Sequence, residues 1–262
     1  MLTRSLSAAL LLLACGSVAH AAECPRENAL GTSRVLAVDA ATWPRTGLMS
    51  FPQTLPLEDR EVVLTFDDGP SPATDPDILA ALAHECVRAT FFLIGKTASE
   101  HPDLVKRIAA EGHTVGHHSW SHNNMRMMSA ADAEGEIDKG IAAVEQALHG
   151  VATTVPSTPF FRYPFFEMTE ASLDSLQRRH IAVFSADLAA DDWLQMKPEE
   201  ELKLLTGRLQ AAGKGVILLH DPALHTAAML PVFLRYLRDN DYRVVHLVPA
   251  GVPKDTATAQ TK

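Results

Sequence analysis

The chain has 262 residues, 47% of them hydrophobic and 21% charged, with a formal net charge of −9. Such length and apolar content suit one globular domain of α/β size and exclude global disorder. The acidic balance excludes broad, non-specific nucleic-acid binding.

The N-terminus reads as an export signal. Arg4 supplies a positive start, Leu6–Ala14 an apolar stretch and Ala19-His20-Ala21 a small-x-small cleavage site, so residues 1–21 are expected to be removed before Ala22. The expected destination is the periplasm or the medium. The apolar stretch is too short to span a bilayer, and no later stretch is long and apolar enough to do so; a short anchor or a core helix is the plainer alternative. Leu12-Leu13-Ala14-Cys15 also resembles a lipobox, which leaves a lipid anchor at Cys15 as another reading. After cleavage Cys24 and Cys86 remain. An exported protein can keep a disulfide, but spacing does not say whether the two meet, and Cys86 reads equally as a small buried hydrophobe.

Residues 22–60 lack a clear period and read as a lead-in with one strand around Val35–Val38. From residue 61 strand-like and helix-like segments alternate. The strand candidates are Val62–Phe66, Ala89–Ile94, Thr114–His117, Phe160–Arg162, Ile181–Ala186, Val216–Leu219 and Arg243–Leu247, all short, apolar and rich in β-branched or aromatic residues. Helical patterns lie between them. Pro76 suits a first turn, with Ile78, Leu79 and Leu82 on one face. Ser129 with Asp132 resembles a capping box ahead of Ile137, Ile141, Val144 and Leu148. Thr169 is a cap before Leu173 and Leu176. Pro198 opens a helix with Glu199, Glu200 and Glu201 in its first turn, a Leu202, Leu205 and Leu209 stripe, and Gly213 at its end. Repeated β-α units imply a parallel sheet over residues 61–249; the pattern alone leaves an open sheet and a closed barrel equally available. The tail 250–262 is small and polar and is expected to fray.

Polar residues gather at one kind of place. Asp67 and Asp68 follow the first strand of this run, His118 and His122 the third, Arg162 ends the fourth, Asp187–Trp193 follow the fifth and His220 the sixth. In a parallel β/α fold the carboxyl ends of the strands share one face, where active sites are built. Neighbouring strand residues point to opposite faces, so Asp67 and Asp68 can serve one site only where the chain is already turning, as Gly69-Pro70 implies. Two carboxylates so close call for a cation or an arginine beside them; an ordinary turn with both facing water is the alternative. His118 and His122, four residues apart, can grip one metal ion, and two His with one carboxylate leave open positions, as catalytic zinc sites do. With 12 histidines in the chain, chance alone supplies roughly half of one such pair, so the spacing by itself is a weak signal. His113 and His117 form a second pair, but "HTVGH" alternates like a strand, which makes His113 structural.

"TFDDGPSP", "GHTVGHHSWSH", "FRYPF", "DDW" and "VILLHD", in this order and spacing, resemble the polysaccharide deacetylase family, the NodB-homology or carbohydrate esterase 4 group, over roughly residues 60–248. The resemblance implies an α/β fold, a distorted (β/α)7-type barrel in a single domain. It also implies metal-dependent hydrolysis of N-acetyl or O-acetyl groups on a glycan. By position it makes Asp67 the general base, and Asp68, His118 and His122 the ligands of a divalent ion, usually zinc. Arg162 would pair with Asp67 and fix its orientation and charge. Asp192 would hold His220, the general acid. Leu218 would line the pocket for the acetyl methyl group and Trp193 would wall the groove. The third motif departs from the usual Arg-Pro-Pro-Tyr-Gly, reading Arg162-Tyr163-Pro164-Phe165-Phe166. Phe165 stands where the family uses a backbone N–H for the oxyanion, a role that needs no particular side chain. Phe166 replaces a glycine, so a change in the loop path is expected. The fourth motif has Ala189 in place of an acid, which leaves Asp187 and Asp191 without assigned roles. Exported location favours a glycan such as chitin oligosaccharide, peptidoglycan or exopolysaccharide. The rival readings are a small non-sugar amide as substrate, and a non-catalytic metal-containing glycan-binding protein.

Overall fold

Why a run such as Val62–Phe66 is apolar at every position becomes clear from what covers each face of it. The computed structural model describes Cys24 and residues 26–251. The expected signal segment 1–21, its cleavage site, the lipid-anchor reading at Cys15 and residues 252–262 of the expected tail lie outside the described residues. Strands β3 (Glu61–Asp67), β4 (Thr90–Leu93), β5 (Thr114–His117), β6 (Phe160–Phe161), β7 (Ala182–Phe184), β8 (Leu188–Ala189) and β9 (Gly215–His220) run parallel in the order β8-β9-β3-β4-β5-β6-β7. The strand number matches the expected seven, though not their full membership, and the ring is not closed: no ladder joins β7 to β8 among the described residues. In β3, Val62, Leu64 and Phe66 pack outward with residues of the surrounding helices, such as Leu79, Leu82, Phe233 and Leu234. Val63 belongs to a separate inner cluster with Phe92, Phe160, Phe184 and Val216. Both faces are therefore dry, and the period of two disappears from the sequence.

Two expectations are corrected. The segment Arg243–Leu247 is a strand, β10 (Arg243–Pro249), but it lies outside the ring, meeting β3 only at Val62 and Glu61 and pairing along its length with β1 (Thr32–Val38). The seventh ring strand is instead Leu188–Ala189, whose two residues are too short to carry a period. Residues 22–60, expected as a lead-in with one strand, supply two. Besides β1, β2 (Arg45–Thr46) pairs with β7 on the edge that β8 leaves free. Gly47 follows, at φ 110°, where a Cβ would meet the Ser185 carbonyl carbon at 2.6 Å. Asp187 then ties this segment to β9, accepting from the Leu48 N–H, the Thr54 hydroxyl and the Val216 N–H at 2.7–2.8 Å.

Helices α1 (Asp75–His84), α2 (Gly95–Glu100), α3 (Pro102–Ala110), α4 (Ala130–His149), α5 (Glu170–Arg178), α6 (Pro198–Ala212) and α7 (Leu224–Asp239) fill the crossovers. The expected caps are in place: the Ser129 hydroxyl accepts the Asp132 N–H, Thr169 forms a capping box with Ser172, and Gly213 ends α6 in the left-handed conformation; Gly150, not among the expected caps, ends α4 in the same way. Glu201 does not behave as a solvated first-turn acid: its side chain is fully buried. Cys24 and Cys86 form a disulfide that ties the chain before β1 to the turn after α1. Among the described residues no helix is long and apolar enough to cross a membrane.

Candidate active site

The strand register brings the motif residues to one level. Asp67 ends β3 opposite His220 at the end of β9, and opposite Phe92 of β4. Asp67 follows Val63 and Thr65 on the inner face, so its side chain sits at the mouth of the ring. Arg162, fully buried, donates to Asp67 Oδ1 at 2.7 Å, to the Thr65 hydroxyl at 2.8 Å and to the Ser185 carbonyl at 2.9 Å. It also lies over the Phe92 ring at 4.3 Å. A guanidinium that gives up water this completely leaves little freedom to the carboxylate it faces.

Asp68 reaches the same site because its backbone turns, at φ 75°, into the left-handed region that few residues other than glycine adopt. Gly69 answers a different need: a Cβ there would overlap the buried carboxylate of Asp221, the residue after His220. Burial and the neighbouring acids, Asp75 first among them, push Asp221 well above the ordinary carboxylate range. Asp68 Oδ1 lies 3.3 Å from His118 Nε2 and 3.1 Å from His122 Nε2. Ser119 and His122 both take positive φ, which folds His122 back beside His118. The Nδ1 of His118 is hydrogen bonded to the Arg162 carbonyl at 2.7 Å, which places its N–H there and leaves Nε2 as the free lone pair.

These three residues are the one group of three His, Cys, Asp or Glu among the described residues whose ligand atoms all lie within 4.8 Å of one another. Asp68 Oδ1 is buried without a hydrogen-bond partner. Two imidazole lone pairs converging on an unsatisfied carboxylate oxygen fit a divalent cation of the zinc type. Burial raises Asp68, but contact with His118 and, when the rings carry protons, the charges of His118, His122 and His220 outweigh it and hold the group at about 2. Burial, reinforced by His118, lowers His122, which favours the neutral ring that a ligand needs.

Asp192 holds His220 at two points. Its Oδ1 accepts from Nδ1 at 2.7 Å and its Oδ2 from the backbone N–H at 2.7 Å. Burial works against the imidazolium, but Asp192, by hydrogen bond and charge, and then Asp67 and Asp68, raise it to about 9. Trp193, 56% exposed, meets the His220 ring edge-on at 5.8 Å, and Phe165, 63% exposed, meets His122 at 4.6 Å. The Phe165 N–H has no acceptor among the described residues. Leu218 is buried with Ala186 and Ala189, and Phe166 packs on them. Phe166 keeps a backbone shape that suits glycine, at φ 55°, and places its ring on that cluster.

Nine of the ten residues expected at the site lie at strand ends or in the segments after them, and Leu218 is buried one step below, two residues before His220 in β9. Asp191 is not part of the site: it forms a two-point ion pair with Arg208 of α6. Asp187 is structural, as described above, and His113 accepts the Ala89 N–H within the fold. Three participants were not anticipated: Thr65, which shares Arg162, and Thr226 and Glu201, which continue the chain of hydrogen bonds behind Asp192. Glu201 had a signal, because it stands at i, i+4 and i+8 with Leu205 and Leu209, the buried face of α6.

A family profile described as polysaccharide deacetylase matches residues 54–183. A chitooligosaccharide deacetylase of Bradyrhizobium is 31% identical over 163 residues, which cover 62% of this chain and 71% of that protein. A peptidoglycan-N-acetylglucosamine deacetylase of Bacillus cereus is 37% identical over 138 residues, 53% of this chain and 48% of its own length. The matched part thus spans about half of that relative. A solved peptidoglycan deacetylase of Bdellovibrio bacteriovorus superposes with a TM-score of 0.73 at 29% identity, covering 88% of this chain and 63% of that one.

Proposed function

The chain belongs to the polysaccharide deacetylase family, and from that premise we propose that it is a metal-dependent hydrolase removing acetyl groups from an N-acetylated glycan of the peptidoglycan or chitooligosaccharide type. The observation that carries the reading is the division of labour between adjacent carboxylates. Asp68 Oδ1 faces both imidazoles at 3.1–3.3 Å, while Asp67 gives its Oδ1 to Arg162 at 2.7 Å and keeps its Oδ2 beside them, 3.9 Å from His118 Nε2.

Asp68, His118 and His122 would hold the ion, which we take to be zinc, and a cation there supplies Lewis acidity toward a water and the acetyl carbonyl. Asp67 takes the proton of the attacking water. The Phe165 N–H faces the developing oxyanion. His220, its Nδ1 occupied by Asp192, presents Nε2 and gives its proton to the departing amine. An amide needs that proton more than an ester does, because an unprotonated amine leaves poorly. Leu218 and its small neighbours receive the acetyl methyl group, and Trp193 walls the groove. Export to the periplasm or medium belongs to the same proposal, and the Cys24–Cys86 disulfide supports it.

The test is acetate release from a panel of N-acetylated and O-acetylated glycans by the zinc-loaded protein. Release is expected from N-acetylglucosamine oligomers, abolished by chelator and restored by zinc. Glycan binding with no acetate from any member of the panel would replace the hydrolase reading with a non-catalytic one.

A further inference from the structure

A hydroxyl group has one proton, and the hydroxyl of Thr226 lies between two carboxyl oxygens. It is 2.8 Å from Asp192 Oδ2 and 2.9 Å from Glu201 Oε1, and all three side chains are buried. If both acids were ionised, one of these contacts would set two lone pairs against each other out of water's reach. One acid must therefore bring a proton of its own. Asp192 is the poorer place for it: Oδ1 already accepts from His220 Nδ1 and Oδ2 from the His220 backbone N–H. Glu201 is the better place. Its Oε1 has Thr226 as its one hydrogen-bond partner, so a proton on Oε1 is donated there, while Oε2 makes no hydrogen bond that would hold an anion and His225 Nε2 stands 3.8 Å from it.

We infer that Glu201 is a positioning residue for the acid His220: held as a neutral carboxylic acid, it donates to Thr226, which donates to Asp192, which fixes the imidazole. The inference rests on the reading of His220 as general acid. The groups facing Glu201 are Asp192, His220 and His225, and those facing His220 are Asp192, Asp67 and Asp68. Burial of Glu201, with Asp192 beside it, raises its carboxyl well above the ordinary carboxylate range, in keeping with the proton count. The arrangement has a use. The hydrogen bond from Thr226 immobilises Asp192 at a third point, so the Nδ1–H of His220 stays fixed and Nε2 stays aimed at the leaving group. A neutral Glu201 also keeps a second buried anion away from His220, which would otherwise hold its proton too tightly to release it.

The experiment follows the His220 imidazole titration by NMR in zinc-loaded, substrate-free protein, together with kcat and KM on an N-acetylglucosamine oligomer. Glu201→Leu and Thr226→Val are expected to lower kcat about 10- to 100-fold with KM little changed. Both should also move the His220 midpoint by about half a pH unit or more. Glu201→Gln, which keeps a neutral donor, and Thr226→Ser should each restore kcat to within about threefold of the parent and return the midpoint. A Glu201→Gln midpoint more than about one unit below the parent's would mean that an anion had been removed, and would overturn the inference. So would a Thr226→Val protein with parental kcat and midpoint. Should Thr226→Val or Glu201→Leu fail to fold, the Gln variant decides alone, since its midpoint either stays or falls. The titration needs no turnover. A protein that releases no acetate yet keeps this pattern loses the hydrolase reading, whereas one that releases acetate but shows the fall in the Gln variant loses only this inference.

Discussion

Asp67 and His220 are register partners at the ends of adjacent strands, yet their surroundings are built from different materials. The Asp67 flank is made of strand ends and backbone turns. Asp68, Ser119 and His122 hold left-handed backbone, His118 is oriented by the Arg162 carbonyl, and Arg162 itself leans on the Ser185 carbonyl. The His220 flank is made of side chains. Asp192 comes from the loop after β8, Thr226 from α7 and Glu201 from α6, each passing a hydrogen bond to the next. Backbone supports do not change when a neighbouring side chain is substituted, whereas a side-chain relay fails at any member. The ion-holding flank should therefore respond to mutation locally and all-or-none, and the acid flank should respond at a distance and by degrees.

The largest expected effect tests the locality. Asp67→Asn should lower kcat about 10³- to 10⁴-fold while zinc content, measured by equilibrium dialysis and metal analysis, stays at the parental value. Asp68→Ala should lose the zinc as well as the activity. If Asp67→Asn also lost its zinc, the two carboxylates would form one unit and the proposed division between them would fail.

Next comes the acid. His220→Ala should slow N-acetyl cleavage about 10²- to 10³-fold but cleavage of an activated acetyl ester less than about tenfold, because only the amine needs a proton to leave. Equal losses on both substrates, measured side by side, would assign His220 to some other step.

This contrast also explains what could be read in advance. Asp67, Asp68, His118, His122, Arg162 and His220 each sit at or just past the end of an apolar run, so their meeting follows from parallel topology alone. Strand Thr114–His117 has the bounds that its sequence suggests. Leu188–Ala189 and Arg45–Thr46 escaped notice because two residues show no period; tertiary pairing makes them strands. Arg243–Leu247 reads as an ordinary ring strand, and nothing local places it outside beside β1. Thr226 had no signal, and that of Glu201 was masked, for a different reason. An acid in a first helical turn has a sufficient explanation in the helix dipole, and a lone Thr in a helix has none to demand; their partnership exists only between α6 and α7.

A smaller effect separates the flanks by pH. His220 must be protonated to act, and its raised position near 9 means that kcat should hold up to about that pH and fall as the group deprotonates above it. With Asp192→Asn the main support for the charge is gone while burial still opposes it, so the alkaline limb should move down to about 6.5 or below. The acidic limb, set by protonation of the groups on the ion-holding flank, should stay where it was. Parallel movement of both limbs in a pH–rate profile would show that the flanks titrate as one network.

The smallest expected effects lie in the two exposed aromatics, one on each flank. Trp193 stands over the His220 edge and Phe165 over that of His122, and neither donates or accepts a proton. A sugar ring lying across the mouth would contact the Trp193 face, an interaction of about 0.5–1.5 kcal/mol by analogy with aromatic pairs. Trp193→Ala should therefore raise KM about 3- to 10-fold with kcat nearly unchanged. Phe165→Ala removes a ring but keeps the backbone N–H assigned to the oxyanion, so kcat should again stay within about threefold. Phe165→Pro deletes that N–H and cannot hold the positive φ of 57°, so it should lower kcat far more than the alanine does. Equal kcat for the alanine and proline variants would remove the backbone N–H from the mechanism and leave oxyanion stabilisation to the ion-holding side alone.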